Sequence, residues 1–132
     1  MTPADDAALP LQILVGRETG AVSFVRDYVE LHFDGPVLRA LADPFGMFGM
    51  FGMFGCQGWR FPEGNAPTIM HRYIGLTVDE CLLVPDQLLT VDSGKHRFAI
   101  PLDDASRPGP EAAHLIGADA AGHADPRMKW IW

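Results

Sequence analysis

The chain has few basic residues, two cysteines and no long apolar segment. Its 10 Lys and Arg residues are outnumbered by 17 Asp and Glu, so the formal net charge is −7 at pH 7. Nucleic-acid binding depends on clustered Lys and Arg that neutralise phosphates, and anionic lipid surfaces attract the same residues. The sequence therefore predicts that neither nucleic acid nor a membrane is a partner.

The scarcity of cysteine bears on the compartment. Cys56 and Cys81 are too few for a disulfide framework, which is typical of proteins from a reducing compartment. The first residues, Met1-Thr2-Pro3, contain no basic stretch followed by an apolar run, as a secretory signal would. We therefore expect a cytoplasmic protein.

Motifs of catalysis and cofactor binding are also missing. The five histidines show no pair at the spacing of a helical zinc site, and the region rich in glycine lacks the Lys-Ser or Lys-Thr of a phosphate loop. None of Ser23, Ser93 and Ser106 lies in a Gly-x-Ser-x-Gly context. The sequence predicts no cofactor and favours a function other than catalysis.

What the chain does have is apolar residues and turns. Hydrophobic residues make up 48% of its 132 residues, with 14 Gly and 11 Pro, a composition typical of a turn-rich single domain, 1–132. Alternating apolar and polar residues predict strands over Ala21–Arg26, Tyr28–Phe33 and Val37–Leu41. The expected fold is mainly β, in the α+β class.

The second half of the chain resembles the first. With residues 11–44 laid over 70–104, Gly75 matches Gly16 and Leu83 matches Phe24. Further on, Leu89 is matched with Leu31, and the changes of register fall at turns, where insertions are tolerated. This internal repeat predicts two related three-stranded meanders, with six main strands in a small barrel or sandwich. Chance similarity of two alternating hairpins is the alternative.

The remaining segments predict short peripheral elements. We expect an imperfect helix over Pro3–Leu14, a loop from Gly55 to Pro67, one or two helical turns within Glu111–Gly117, and a final short strand over Met128–Trp132. Residues Ile69–Ile74 fit a helical turn or a strand equally well.

Between the halves lies a segment rich in Gly, Phe and Met, residues 45–58, which we call the seam. It repeats Phe-Gly-Met three times before Phe-Gly-Cys, so that sulfur side chains recur at intervals of three: Met47, Met50, Met53 and Cys56. Thioether and thiolate groups select Cu(I), and a polyproline-II conformation would align them along one edge. Expansion of a surface loop and an adaptable apolar flap are the other two interpretations.

These features favour a non-enzymatic binding or accessory module that recognises a protein partner, an inhibitor or immunity role included. A second copy of the chain is an alternative partner. The residues expected to contact the partner are Met47, Phe48, Met50, Phe51, Met53, Phe54, Trp59, His71, Tyr73, Trp130 and Trp132.

The alternative function is a small hydrophobic ligand or a substrate in a pocket between the halves. The seam would cover this pocket, and His71, Tyr73 and Asp27 would supply the polar contacts. A deep apolar cavity with convergent polar groups would favour this function, whereas a filled core would favour the binding module.

Overall fold

The computed structural model describes residues 9–49 and 56–132, which form ten strands and a few short helices. The strands are β1 (Ala21–Val25), β2 (Tyr28–His32), β3 (Val37–Ala40), β4 (Phe45–Gly49), β5 (Cys56–Arg60), β6 (Glu80–Val84), β7 (Leu88–Ser93), β8 (His96–Pro101), β9 (Ala113–Ala118) and β10 (Ala124–Ile131). The helices are α1 (Ala66–Met70) and three 3-10 segments, Leu9–Leu14, His71–Tyr73 and Asp104–Ser106.

The strands form two antiparallel sheets of five, so the prediction of a mainly-β fold is confirmed. Sheet 1 has the order β1-β2-β3-β9-β10, and sheet 2 has the order β5-β4-β8-β7-β6. Each half of the chain therefore supplies a meander to one sheet and a hairpin to the other. The β4–β5 hairpin extends the meander of the second half, and the β9–β10 hairpin extends that of the first.

Two short segments, one from each half, pair with each other and show that the halves are related by an approximate two-fold axis. Glu18 and Thr77 form an antiparallel bridge. On one side of it the Gly16 N–H donates to the Val78 carbonyl at 2.8 Å, and on the other side the Gly75 N–H donates to the Thr19 carbonyl at 2.8 Å. Gly16 and Gly75 both have positive φ, 86° and 93°, which glycine adopts without strain. An approximate two-fold axis thus passes through this bridge.

The helices also lie against the opposite half. Gln12, in the first 3-10 helix, donates from Nε2 to the Cys81 carbonyl of β6 at 3.5 Å. His71, just after α1, stacks on Phe24 of β1 with ring centroids 5.4 Å apart. Each helix therefore flanks the edge strand of the other half's meander.

One buried cluster fills the space between the sheets. Its strand residues alternate along the chain, as Val29 and Leu31 do in β2 and Leu89 and Val91 do in β7. Both helices contribute as well, through Leu11 and Leu14 on one side and Ile69, Met70 and Tyr73 on the other. The side chains between these positions point to the two outer faces.

Several predicted elements differ from the structure. Six main strands were expected and ten are present among the described residues, because the seam and the C-terminal segment supply two hairpins. The seam is neither a loop nor polyproline II over Phe45–Gly49, which pairs with both β5 and β8. Glu111–Gly117 is not helical either, since Ala113–Ala118 is strand β9 between β3 and β10.

Other segments agree in part. The loop expected over 55–67 contains β5 and the start of α1, and Ile69–Ile74 is helical as far as Tyr73. The last strand is longer than Met128–Trp132 at its start. The helix predicted over Pro3–Leu14 can be judged only from residue 9 onward, where a 3-10 helix runs to Leu14, because residues 1–8 lie outside the described residues.

Candidate partner-binding surface

The two sheets differ in the chemistry of their outer faces. In each sheet one row of paired residues crosses all five strands at the middle of the face, and we call it the centre row. The centre row of sheet 1 is Ser23, Glu30, Arg39, His114 and Ile131. The centre row of sheet 2, position for position under the approximate two-fold, is Leu82, Thr90, Ala99, Phe45 and Arg60.

Polar pairs occupy the outer face of sheet 1. The Arg39 guanidinium donates to Glu30 Oε2 at 2.9 Å and lies 4.6 Å from the centroid of the Tyr28 ring. His114 Nε2 is in close contact with Glu111 Oε2. Charged side chains that pair with one another on a sheet surface are typical of a solvated face.

One group on this face contains the side-chain types of a hydrolase triad but not its geometry. Ser23 Oγ lies 3.1 Å from His32 Nε2, and Glu30 Oε1 lies 3.4 Å from the same nitrogen. A catalytic triad uses both ring nitrogens, one for the nucleophile and the other for the carboxylate. This group therefore gives no support to nucleophilic catalysis.

The outer face of sheet 2 has mostly apolar or small side chains in its centre row, and an Arg97–Asp92 ion pair lies beside that row. Leu82 on β6 and Met47 on β4 are about half exposed, and Phe45 is partly exposed under the Arg60 guanidinium, 5.0 Å from its ring centroid. Between them Thr90 and Ala99 are buried, and Thr90 Oγ1 has no hydrogen-bond partner. Two partly exposed apolar strands, β4 and β6, thus border a centre of small side chains.

Beneath this face, a tyrosine hydroxyl links β5 to β8. Tyr73 Oη accepts a hydrogen bond from Trp59 Nε1 at 2.8 Å, and the hydroxyl lies 2.8 Å from the Arg97 carbonyl. Burial raises the pKa of Tyr73 well above its ordinary value, so the hydroxyl stays protonated and can donate to that carbonyl. Tyr73 and Trp59 are both buried and therefore do not lie on a contact surface.

His96 fixes the far end of β4. Its Nδ1 accepts a hydrogen bond from the Gly49 N–H at 3.0 Å, and its ring lies 4.0 Å from that of Phe48. Burial lowers the pKa of His96 below its ordinary value, and the charge of Lys95 acts in the same direction. The neutral ring is therefore the form that holds Gly49.

We expect the free energy of unfolding to fall as the pH drops below about 6.5, the ordinary pKa of histidine. The folded-state pKa is lowered, so the unfolded chain takes up the proton first and acid favours unfolding. Urea titrations at pH 7.5 and 5.5 measure this loss. His96→Asn keeps an acceptor without a titrating group, and it should show a smaller loss between the two pH values. An equal loss in both proteins would contradict this role of His96.

The structure places the predicted contact residues in different environments. Met47 lies on the outer face of sheet 2, whereas Phe48 points inward, with its ring 5.4 Å from that of Tyr73. Trp130 and Trp132 are partly buried and pack against the core. Met50, Phe51, Met53 and Phe54 lie outside the described residues.

The predicted polar contacts of a pocket between the halves do not meet. Tyr73 is buried, His71 stacks on Phe24 at the surface, and Asp27 lines a separate cavity with Leu41 and Glu111. The first five residues of the seam form β4 inside sheet 2.

The described part of the chain offers few groups that could bind a metal or act as a reactive thiol. No three His, Cys, Asp or Glu side chains come together there as a metal site. Cys81 is buried, and burial raises the pKa of its thiol to about 12, which makes it unreactive. Cu(I) binding by Met47, Met50, Met53 and Cys56 stays a prediction, because two of these methionines lie outside the described residues.

Leu82 and Phe45 were not predicted as surface residues. The signal was in the strand sequence, since Cys81-Leu82-Leu83-Val84 is a continuous apolar run where β1 has Val22-Ser23-Phe24. Continuous runs are typical of strands that are covered on both faces. Within the ranges 9–49 and 56–132, no helix is long and apolar enough to cross a membrane.

A comparison of the chain with models of protein families, with curated proteins and with solved structures finds no match. The surface chemistry is therefore the basis on which a function can be argued.

Proposed function

We propose that the protein is a non-enzymatic binding module that recognises a protein partner through the outer face of sheet 2. The observation that carries this proposal is the contrast between the centre rows. Where sheet 1 has Ser23, Glu30 and Arg39, sheet 2 has Leu82, Thr90 and Ala99. At these three positions one face is polar and the other is apolar or small, whereas at the end of the rows the order is reversed, with Ile131 on sheet 1 and Arg60 on sheet 2.

The apolar face has the character of an interface. Exposed apolar side chains rimmed by polar groups are typical of a contact surface, and here the Arg97–Asp92 pair supplies such polar groups. Leu82 and Met47 lie near opposite sides of the sheet, and a methionine adapts its shape to the surface that it contacts. Burial of this area would contribute roughly 25 cal/mol for each Å² removed from water, less the cost of association.

The charge of the chain indicates the kind of partner. At the border of the face Glu80, two residues before Leu82, pairs across the strands with Asp92, which also forms an ion pair with Arg97, and the whole chain carries a net charge of −7. A partner with an apolar patch and a basic rim would be attracted from a distance and docked by the apolar contact. An inhibitor or immunity protein acting in the cytoplasm belongs to this class.

The test compares four single substitutions in two matched pairs. Leu82→Glu and Met47→Glu place a charge on the outer face of sheet 2, at residues 50% and 48% exposed. Val25→Glu and Ile131→Glu do the same on sheet 1, at residues 42% and 51% exposed. A basic protein captured from host extract, then purified and titrated directly, should bind the sheet 2 variants at least about tenfold more weakly and the sheet 1 variants normally.

Salt and mass provide the controls. Because the partner is expected to be basic, association should slow as the salt concentration rises, while the dissociation rate changes less. Equal binding by all four variants would refute the proposal. So would a stable dimer of the protein alone that Leu82→Glu converts to a monomer, because a second copy would then cover this face.

A further inference from the structure

A cavity of about 320 Å³ opens at the end of sheet 2 where β7 turns into β8. Its described lining is Gly49, Leu76, Thr77, Ser93, Gly94, Lys95 and His96. Ser93 follows the inward-facing residues Leu89 and Val91 of β7 at alternate positions, and it is itself buried. The cavity therefore lies on the inner side of sheet 2, apart from the outer face proposed as the partner surface.

The approximate two-fold axis relates Ser93 to Phe33. Gly20 N–H donates to the His32 carbonyl at 2.8 Å in the first half, and Asp79 N–H donates to the Asp92 carbonyl at 2.8 Å in the second. The next residue is Phe33 in one half and Ser93 in the other. The two turns correspond too, since the Phe33 N–H donates to the Pro36 carbonyl and Ser93 pairs with His96.

The two equivalent positions are filled differently. The phenyl ring of Phe33 is fully buried in the core. At the matching place in the second half the hydroxymethyl group of Ser93 leaves open space. The fold thus accommodates a phenyl ring at residue 33, and beside the related residue Ser93 there is a cavity bordered by His96, whose other neighbour is the Phe48 ring.

Polar groups at this cavity determine which hydrogen-bonding group a ligand would have to carry. His96 Nδ1 already accepts the hydrogen bond from Gly49, so in the neutral ring the proton is on Nε2, which can only donate. Ser93 has a hydroxyl that can donate or accept. A ligand with a hydrogen-bond acceptor beside its ring would suit both groups.

We propose that this cavity binds a small uncharged molecule made of one aromatic ring and a hydrogen-bond acceptor, with the ring placed as Phe33 is in the first half. The site is independent of the partner surface. Substitutions at Leu82 should leave it intact, and its failure would not affect the proposed function.

The experiment titrates the ¹⁵N-labelled full chain with benzyl alcohol and follows the amide resonances. A ligand of about eight non-hydrogen atoms that fits should bind with a dissociation constant of about 1 mM, with saturable shifts at Thr77, Gly94 and His96. Cyclohexylmethanol should shift the same resonances more weakly, because a flat ring fits a phenyl-shaped space better.

Ser93→Phe copies the residue of the first half into the second and should weaken binding at least tenfold. Ser106→Phe, at an exposed serine in the Asp104–Ser106 turn, is the matched control and should bind as the unchanged protein does. If Ser93→Phe does not fold, Ser93→Val should still weaken binding. Absence of saturable shifts, shifts confined to other residues, or unchanged binding by the Ser93 variants would overturn the proposal.

Discussion

Gly46→Ala is expected to lower the free energy of unfolding by at least about 3 kcal/mol. A Cβ atom at residue 46 would lie 2.1 Å from the Arg97 carbonyl oxygen and 2.8 Å from the Trp59 ring. The carbonyl belongs to the backbone of β8, which pairs with β4 at this point, so it cannot move without opening the sheet. Urea denaturation measures the effect.

Gly58→Ala is the matched control on the adjacent strand. A Cβ atom there would meet nothing closer than the Gly46 carbonyl oxygen, at 4.0 Å. We expect its effect to stay within about 0.5 kcal/mol. Equal losses of unfolding free energy for Gly46→Ala and Gly58→Ala would mean that β4 does not lie between β5 and β8. The β4–β5 hairpin would then not belong to sheet 2.

Tyr73→Ala should cost about 3–5 kcal/mol, the range for removal of a buried aromatic ring. The ring packs edge-on to Trp59 and Phe98, with centroids 6.0 and 6.2 Å away. Its hydroxyl also satisfies Trp59 Nε1 and the Arg97 carbonyl. Thermal and urea unfolding would measure the loss of stability. The spectrum of the Trp residues would serve as the signal of the folded state.

Tyr73→Phe separates the hydrogen bonds from the packing. It keeps the ring and leaves the buried Trp59 N–H without an acceptor, which should cost about 1–3 kcal/mol. A negligible effect of Tyr73→Phe would show that the hydroxyl does not link β5 to β8.

The meander strands of the first half could be predicted within about one residue because their sequences alternate. The alternation places Val29, Leu31 and Phe33 on one face of the predicted strand Tyr28–Phe33, and all three are buried. Leu89 was matched with Leu31, whereas the strand pairings match it with Val29 and match Val91 with Leu31. A shift of two residues in the matching of the halves keeps each side chain on the same face of its strand. The core positions were therefore predicted correctly although the matching was not.

β4 and β9 escaped prediction for separate reasons. In β4 glycine recurs every third residue, which masks the alternation of a strand, and Gly46 is there to admit the Trp59 ring. In β9, Ala113, His114 and Leu115 follow a proline and precede a glycine, which suggests a helix. The strand is buried on both faces, as central strands are, and so it lacks alternation as well.

The exchange of hairpins between the halves could not be predicted from local patterns. Whether β4 pairs with β3 or β8 is decided by packing between distant segments, here by the Trp59–Tyr73–Arg97 contacts. The apolar face of sheet 2 depends on that pairing, because it brings Phe45 and Met47 of the first half beside Ala99 and Arg97 of the second.

The most direct test of the partner surface is the rate at which peroxide oxidises Met47. Thioether oxidation follows exposure, and Met128 on β10, 41% exposed against 48% for Met47, is a control within the same chain. Sulfoxide at each residue is measured by mass spectrometry, first for the protein alone and then for its complex with the captured partner. We expect the partner to slow oxidation of Met47 several-fold and to leave Met128 unchanged. An unchanged rate at Met47 in a saturated complex, or protection of Met128 alone, would contradict the assignment of the partner to the outer face of sheet 2.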